Sequence, residues 1–463
     1  MMNNRFVVAP WCATNVYKKN GSVRAYIRNE ITTEYFLLED FSALIWKKII
    51  DFAPNDELFD FAKTFDESED SVNNFLLELK NSMLILDLNS DNYSRDIVAS
   101  LLIDENANCS NSEFHNSMFS WFAKNQIMAN LFIETTCKCN LNCIHCYNCK
   151  NIDVKGISFE DLKPVIDEAY ENGLFSVILS GGETTITPDF LKIAKYIRSK
   201  HISLEIYTNG LSLYNNDELF NEILNLYPSK ISLSLYSMNP EIHDKITGVC
   251  GSQEKTLSVI KKLKQYNMPI EVKCFLTKYN PFEFKKIAKF CKENNITSMF
   301  DEKFYNNPEN NNSYVEVTDE QLTSIYSSYY EIFGENIPET FNEKYVGSKE
   351  CEPCRAGHFG LSISADLSVQ MCNFFGKKIG NLKEDSIVDI WNEKTKNCSE
   401  LIAWRKVVIN DLKECYKHDY CKFCFYCVGF SLNENNYLGK SNTLCRVAKA
   451  RFNAFNEIKK HKE

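Results

Sequence analysis

The chain has 463 residues, 44% of them hydrophobic and 25% charged, the balance of a globular protein with room for two or three domains. A formal net charge of -10 argues against a nucleic-acid scaffold. No run approaches the roughly 18 uncharged apolar residues of a membrane span, and the first residues lack the basic and apolar segments of a secretory signal. The expectation is a cytoplasmic protein with neither membrane nor nucleic acid as partner.

Residues 12–38 alternate in short β-prone runs, with Asn20-Gly21 as a hairpin turn. Three helical patterns follow, around Phe41–Ile49, Leu58–Phe65 and Val72–Leu79, and the apolar run Met83-Leu84-Ile85-Leu86 closes the region as a strand. Residues 1–90 therefore read as one small domain, and 91–127, rich in Asn, Ser and Asp, as a linker. From 128 to 305 strands alternate with helices. The predicted strands are Leu131–Glu134, Ser176–Ser180, Ser203–Tyr207, Ile231–Leu235, Ile270–Phe275 and Thr297–Phe300, with helices near 158–171, 189–200, 216–226, 253–266 and 281–293. Six strands in this rhythm predict a parallel α/β sheet, whose ligands gather at the carboxyl ends of the strands. Residues 306–345 read as a bridge, and 346–463 as a cysteine-rich domain in which periodicity fades.

The nineteen cysteines cluster, and clustered thiols in a reduced compartment point to metal, whereas isolated ones read as ordinary buried thiols. Five lie between Cys137 and Cys149 and nine between Cys351 and Cys445, while Cys12, Cys109, Cys250, Cys274 and Cys291 stand alone. The loop after the first core strand contains Cys139, Cys143 and Cys146 in a CxxxCxxC spacing. Three thiolates can hold three corners of a four-iron cube and leave one iron open. A structural zinc site is the alternative, with Cys137, Cys149 or His145 as fourth ligand. After the second strand come Gly181-Gly182-Glu183, two glycines that admit a close backbone approach and a carboxylate suited to a cationic amino group.

These residues resemble the signature of the radical S-adenosylmethionine superfamily. The resemblance implies a partial (β/α)6 barrel over 128–305, a cluster on Cys139, Cys143 and Cys146, and S-adenosylmethionine held with help from Tyr147, Gly181, Gly182, Glu183, Thr208, Asn209 and Ser234. The region 346–463 resembles the SPASM extension, in Cys354-Arg355-Ala356-Gly357, Met371-Cys372 and the C-x5-C-x2-C-x2-C run from Cys415. That implies two auxiliary four-iron clusters, three in all. Cys354, Cys372 and Cys427 are expected to hold the first, with Cys351 as possible fourth ligand. Cys415, Cys421, Cys424 and Cys445 are expected to hold the second. Residues 1–90 resemble a winged-helix peptide-recognition element, in Tyr35-Phe36-Leu37-Leu38, Ala43-Leu44-Ile45-Trp46 and Val72 to Leu86.

Together the resemblances imply a maturase that modifies a precursor peptide bound through its leader, with a flavodoxin- or ferredoxin-like electron donor. Thioether formation between Cys sulfur and carbon is the leading expectation. Carbon–carbon crosslinking, epimerisation and sulfatase maturation are alternative reactions, and a leader-binding chaperone with structural metal is the non-enzymatic one. No catalytic side chain beyond the cluster ligands is assigned.

Overall fold

A computed structural model describes residues 5–88, 111–147, 155–303, 316–333, 352–415 and 417–462. Asn20 and Gly21 both take positive φ, 52° and 84°, the turn that matches the twist of paired strands. They close a hairpin of β2 (Cys12–Lys19) and β3 (Ser22–Asn29), and β4 (Tyr35–Glu39) adds antiparallel to β3. Helices α1 (Asp40–Ile50), α2 (Asn55–Lys63) and α3 (Glu69–Asn81) pack their apolar faces on this sheet around Trp46, Leu58 and Leu76. The closing strand β5 (Ile85–Asp87) pairs antiparallel with β1 (Phe6–Val8).

The stretch expected to be a linker contains a helix, α4 (Asn111–Lys124). Its Met118 and Phe122 are buried against Tyr17 and Tyr26 of the hairpin and against Ile127, Ala129 and Phe175 of the core. This shared apolar cluster joins the first 88 residues to the rest of the chain. Arg198 completes the junction: its buried guanidinium donates to the carbonyl oxygens of Ile202 at 2.7 Å, Pro10 at 2.7 Å and Cys12 at 3.3 Å.

Six parallel strands form the core sheet: β6 (Asn130–Glu134), β7 (Ser176–Ser180), β8 (Ser203–Thr208), β9 (Lys230–Ser234), β10 (Ile270–Phe275) and β11 (Thr297–Asp301). The connecting helices follow the expected rhythm: α5 (Phe159–Glu171), started by a reciprocal Ser158–Asp161 cap, then α6 (Phe190–Ser199) and α7 (Asp217–Asn225). One further helix, α8 (Pro240–Thr247), begins with Pro240 at its first turn and ends at Gly248 in the left-handed conformation.

The sheet does not stop at β6. A strand from the cysteine-rich region, β12 (Gly360–Ile363), pairs parallel with β6, and β13 (Ser368–Gln370) and β14 (Lys378–Asn381) continue antiparallel. Nine strands therefore form one sheet among the described residues. No described helix is long and apolar enough to cross a membrane.

Candidate active site

At the carboxyl end of β6 the chain enters Thr135-Thr136-Cys137-Lys138-Cys139, and this loop lies against the end of β7. The amides of Gly182 and Glu183 donate to the carbonyls of Thr136 and Lys138, at 2.6 and 2.9 Å. A Cβ on Gly182 would stand 2.2 Å from the Lys138 oxygen, and one on Gly181 2.5 Å from the Thr136 oxygen. The two glycines, expected to admit a cofactor, admit the backbone of the cysteine loop. Further along, Asn142 and Ile144 donate to the carbonyls of Thr247 and Ile246, so α8 braces the loop from its far side.

Glu183 is buried, at 1% exposure. Its carboxylate accepts from the Thr208 hydroxyl at 2.7 Å, the Asn209 amide at 2.7 Å, and the amide and hydroxyl of Thr185. Burial raises its pKa and these neutral donors only partly oppose that; no cationic side chain is among the main groups acting on it. A buried carboxylate at a strand end, solvated by neutral donors alone, fits a ligand's ammonium group. Asn209 extends the network by donating to Asn140 at 2.7 Å and to the Cys139 sulfur at 3.8 Å. The Leu141 amide also donates to that sulfur, at 3.4 Å. Glu183, Thr208 and Asn209 are thus brought to the cysteine loop. Ser234 ends β9 nearby, and it hydrogen-bonds Tyr236, whose phenol is influenced by Cys143 and Cys146.

His145, between the second and third cysteines, stacks on Phe275 with centroids 4.9 Å apart and meets Tyr236 edge-on at 4.6 Å. Tyr147 points elsewhere. Its hydroxyl donates to Glu134 at 2.8 Å, its ring lies 6.0 Å from Phe374, and Ser364 donates to the other Glu134 oxygen at 3.3 Å. Glu134 therefore joins the cysteine loop to the cysteine-rich region. Sequence reasoning passed over it, although a carboxylate ending an apolar core strand is itself a signal.

The other thiols fall into two groups. Cys354, Cys372 and Cys427 are close enough to act on one another electrostatically. Burial pushes the Cys354 thiol up to about 12 and Cys372 up to about 11, and raises Cys427. Backbone amides donate to each sulfur: Ala356 to Cys354, Phe374 and Phe375 to Cys372, Gly429 and Phe430 to Cys427. Gly429 is needed here, since its Cβ would lie 2.1 Å from the Phe374 oxygen. This group adjoins the ends of β6 and β11, for Glu134 acts on Cys372, and Asp301 and Lys303 act on Cys427. Cys351, its possible fourth member, lies outside the described residues.

Cys415, Cys421, Cys424 and Cys445 form the second group and together line a cavity of about 240 Å³. Burial pushes Cys415 up to about 11 and Cys424 up to about 12. Cys398 joins neither; it is buried with its thiol against the carbonyl of Ile390. Among the described residues no three Cys, His, Asp or Glu side chains converge tightly enough to hold a single metal ion.

Residues 133–291 match the Radical SAM superfamily. The chain is 29% identical over 327 residues to the antilisterial bacteriocin subtilosin biosynthesis protein AlbA of Bacillus subtilis, spanning 68% of this chain and 70% of AlbA. It is 22% identical over 263 residues to the sporulation killing factor maturation protein SkfB of the same organism, spanning 56% of this chain and 63% of SkfB. The crystal structure of Streptococcus suis SuiB bound to its precursor peptide SuiA superposes with a TM-score of 0.56 at 16% identity, over 95% of this chain and 99% of SuiB. The strand-end cysteine loop and the family match agree: residues 133–291 form a Radical SAM domain.

Proposed function

We propose that this protein matures a ribosomally made precursor peptide and forms thioether bonds between Cys sulfur and carbon. The observation that carries this reading is the place of Cys354, Cys372 and Cys427. Glu134 links them to Tyr147 of the cysteine loop at the carboxyl end of the core sheet, which supports a peptide thiol bound at this group being within reach of the radical chemistry. AlbA and SkfB are named for bacteriocin biosynthesis and killing-factor maturation, and SuiB was solved with a precursor peptide, which supports a peptide substrate.

Cys139, Cys143 and Cys146 would hold three corners of a four-iron cluster and S-adenosylmethionine the fourth. When bound, this pair supplies a 5′-deoxyadenosyl radical that removes hydrogen from carbon. Around it Asn209 and the Leu141 amide orient the Cys139 sulfur, Glu183 receives the ammonium of the methionine moiety, and the His145–Phe275–Tyr236 packing excludes water. Thr208 sets the Glu183 carboxylate, Gly181 and Gly182 admit the loop, Ser234 lines the strand ends, and Tyr147 ties the loop to the cysteine-rich region.

In the first thiol group, amide donors hold sulfurs in the manner that suits iron–sulfur ligation. With three ligands one iron remains open to a substrate thiolate. Ligation by Cys351 would close it and favour carbon–carbon crosslinking or epimerisation. Cys415, Cys421, Cys424 and Cys445 would hold the second auxiliary cluster. Residues 5–88 would act as the winged-helix-like element, with the leader adding a strand to the outer edge of β4, since the β2 side is closed by the Thr14 amide donating to the His201 carbonyl.

Replacing Cys139, Cys143 and Cys146 together by Ala tests the reading. The variant should lose about a third of its iron, one cluster of three, and form no 5′-deoxyadenosine. Undiminished 5′-deoxyadenosine would overturn the assignment of the loop.

A further inference from the structure

The second thiol group stands apart in its electrostatic setting. Its cavity opens to solvent, and Cys415, Cys424 and Cys445 are only half-buried. The wall also carries Lys417, Lys440, His418 and Tyr420. The His418 ring stacks on Tyr420 at 4.9 Å, and the Lys449 ammonium lies 5.2 Å from the Tyr420 ring centre. Lys413 and Lys422 flank these positions in the chain, and all five lysines are exposed. Lys417 acts on Cys415, while Lys440 and Lys449 act on Cys445, so three of these charges lie within electrostatic reach of the thiols.

Acidic groups are present but fewer. Glu414 lines the wall 3.9 Å from Lys440 and acts on Cys415, Glu434 acts on Cys445, and Asp411 and Asp419 are exposed near them in the chain. Over residues 405–463 there are twelve Lys and Arg against six Asp and Glu, whereas the whole chain has 52 against 62. A basic patch on an acidic protein, centred on half-buried thiols, is a docking surface with its sign chosen.

We propose that Lys413, Lys417, Lys422, Lys440 and Lys449 form the docking surface for a small acidic electron-carrier protein, which thereby meets the cavity of Cys415, Cys421, Cys424 and Cys445. The proposal rests on the reading that these four thiols hold a redox centre. One electron passes from the reduced carrier to that centre, or back, and no atom is transferred. The lysines bring the acidic carrier in and orient it; the exposed His418 ring, stacked on the half-buried Tyr420, gives it a flat contact. Such docking weakens as salt screens the charges, over a Debye length of about 8 Å at physiological ionic strength.

A fluorescently labelled bacterial flavodoxin, titrated anaerobically with the reconstituted full-length enzyme at low salt, tests this by anisotropy. The wild type binds, with affinity falling steeply as salt is raised. The triple variant Lys417→Glu, Lys440→Glu, Lys449→Glu binds on the order of tenfold more weakly or worse, with a flattened salt dependence. The triple Lys→Arg variant binds like the wild type. Zero-length carbodiimide crosslinking of flavodoxin to the wild-type enzyme, mapped by mass spectrometry, needs no variant to fold and should join its carboxylates to these lysines. A wild type that does not bind, unchanged affinity in the Glu variant, lost affinity in the Arg variant, or crosslinks confined to other lysines such as Lys138 would each overturn the proposal. The radical chemistry is judged separately, by iron content and 5′-deoxyadenosine, neither of which enters these measurements.

Discussion

A methyl group at Gly182 would lie 2.2 Å from the Lys138 carbonyl oxygen, so Gly182→Ala has to displace the backbone of the cysteine loop. We expect roughly 1–3 kcal/mol of lost stability and a larger functional loss, read as missing iron at the first cluster. Gly21→Ala is the control, at a hairpin tip with open space and φ of 84°; it should cost about 1 kcal/mol and leave iron content intact. The motif Gly-Gly-Glu was legible as a site, but the partner of its glycines was not, because only the fold brings Thr136 and Lys138 onto them. His243 makes a second point at this scale. It is buried, its Nδ1 accepts from the Tyr236 amide at 3.2 Å, and burial lowers its pKa to about 4. A folded-state pKa below the unfolded value of about 6.5 means stability that is full above pH 6.5 and is lost as pH falls towards 4. The slope in that window reaches about 1.4 kcal/mol per pH unit. Melting temperatures followed from pH 7 to 4.5 should therefore fall less steeply in His243→Gln than in the wild type.

Core strands such as Ile270–Phe275 were readable because Ile270, Val272 and Cys274 alternate with Glu271 and Lys273, the two-residue period of a strand with one fully buried face. The helix Asn111–Lys124 was not, since its Asn, Ser and His residues resemble a linker and its apolar face is completed only by Tyr17, Tyr26 and Phe175. Phe122→Ala should accordingly cost about 3–5 kcal/mol, measured by denaturant unfolding, and not the negligible amount a linker would give. Arg198→Ala would strand the carbonyls of Pro10, Cys12 and Ile202. A loss on the order of 3 kcal/mol is expected, with faster proteolysis at the junction of the first 88 residues. At β4, the Asn29 amide donates to Glu34, so by antiparallel alternation the amides of Tyr35 and Leu37 face outward. Leu37→Pro should then spare the β3–β4 ladder, yet lower processing of a leader-bearing peptide by on the order of tenfold. Equal processing would place the leader elsewhere.

Across the whole molecule, the cysteine spacings made the radical SAM character legible, whereas the neighbours of each thiol depended on the fold. The short strand Gly360–Ile363 gives no periodic signal of its own, and yet its parallel pairing with β6 draws the cysteine-rich region onto the core sheet. That pairing and Glu134 set the Cys354, Cys372 and Cys427 group beside the cysteine loop, and the thioether reading depends on this neighbourhood. Its most direct test is tandem mass spectrometry of a precursor peptide after reaction with the reconstituted enzyme, S-adenosylmethionine and reductant, followed by iodoacetamide. The account predicts a loss of two hydrogens per bond, with substrate cysteines retained in the peptide but closed to alkylation. A fully processed peptide whose cysteines alkylate freely would contradict it.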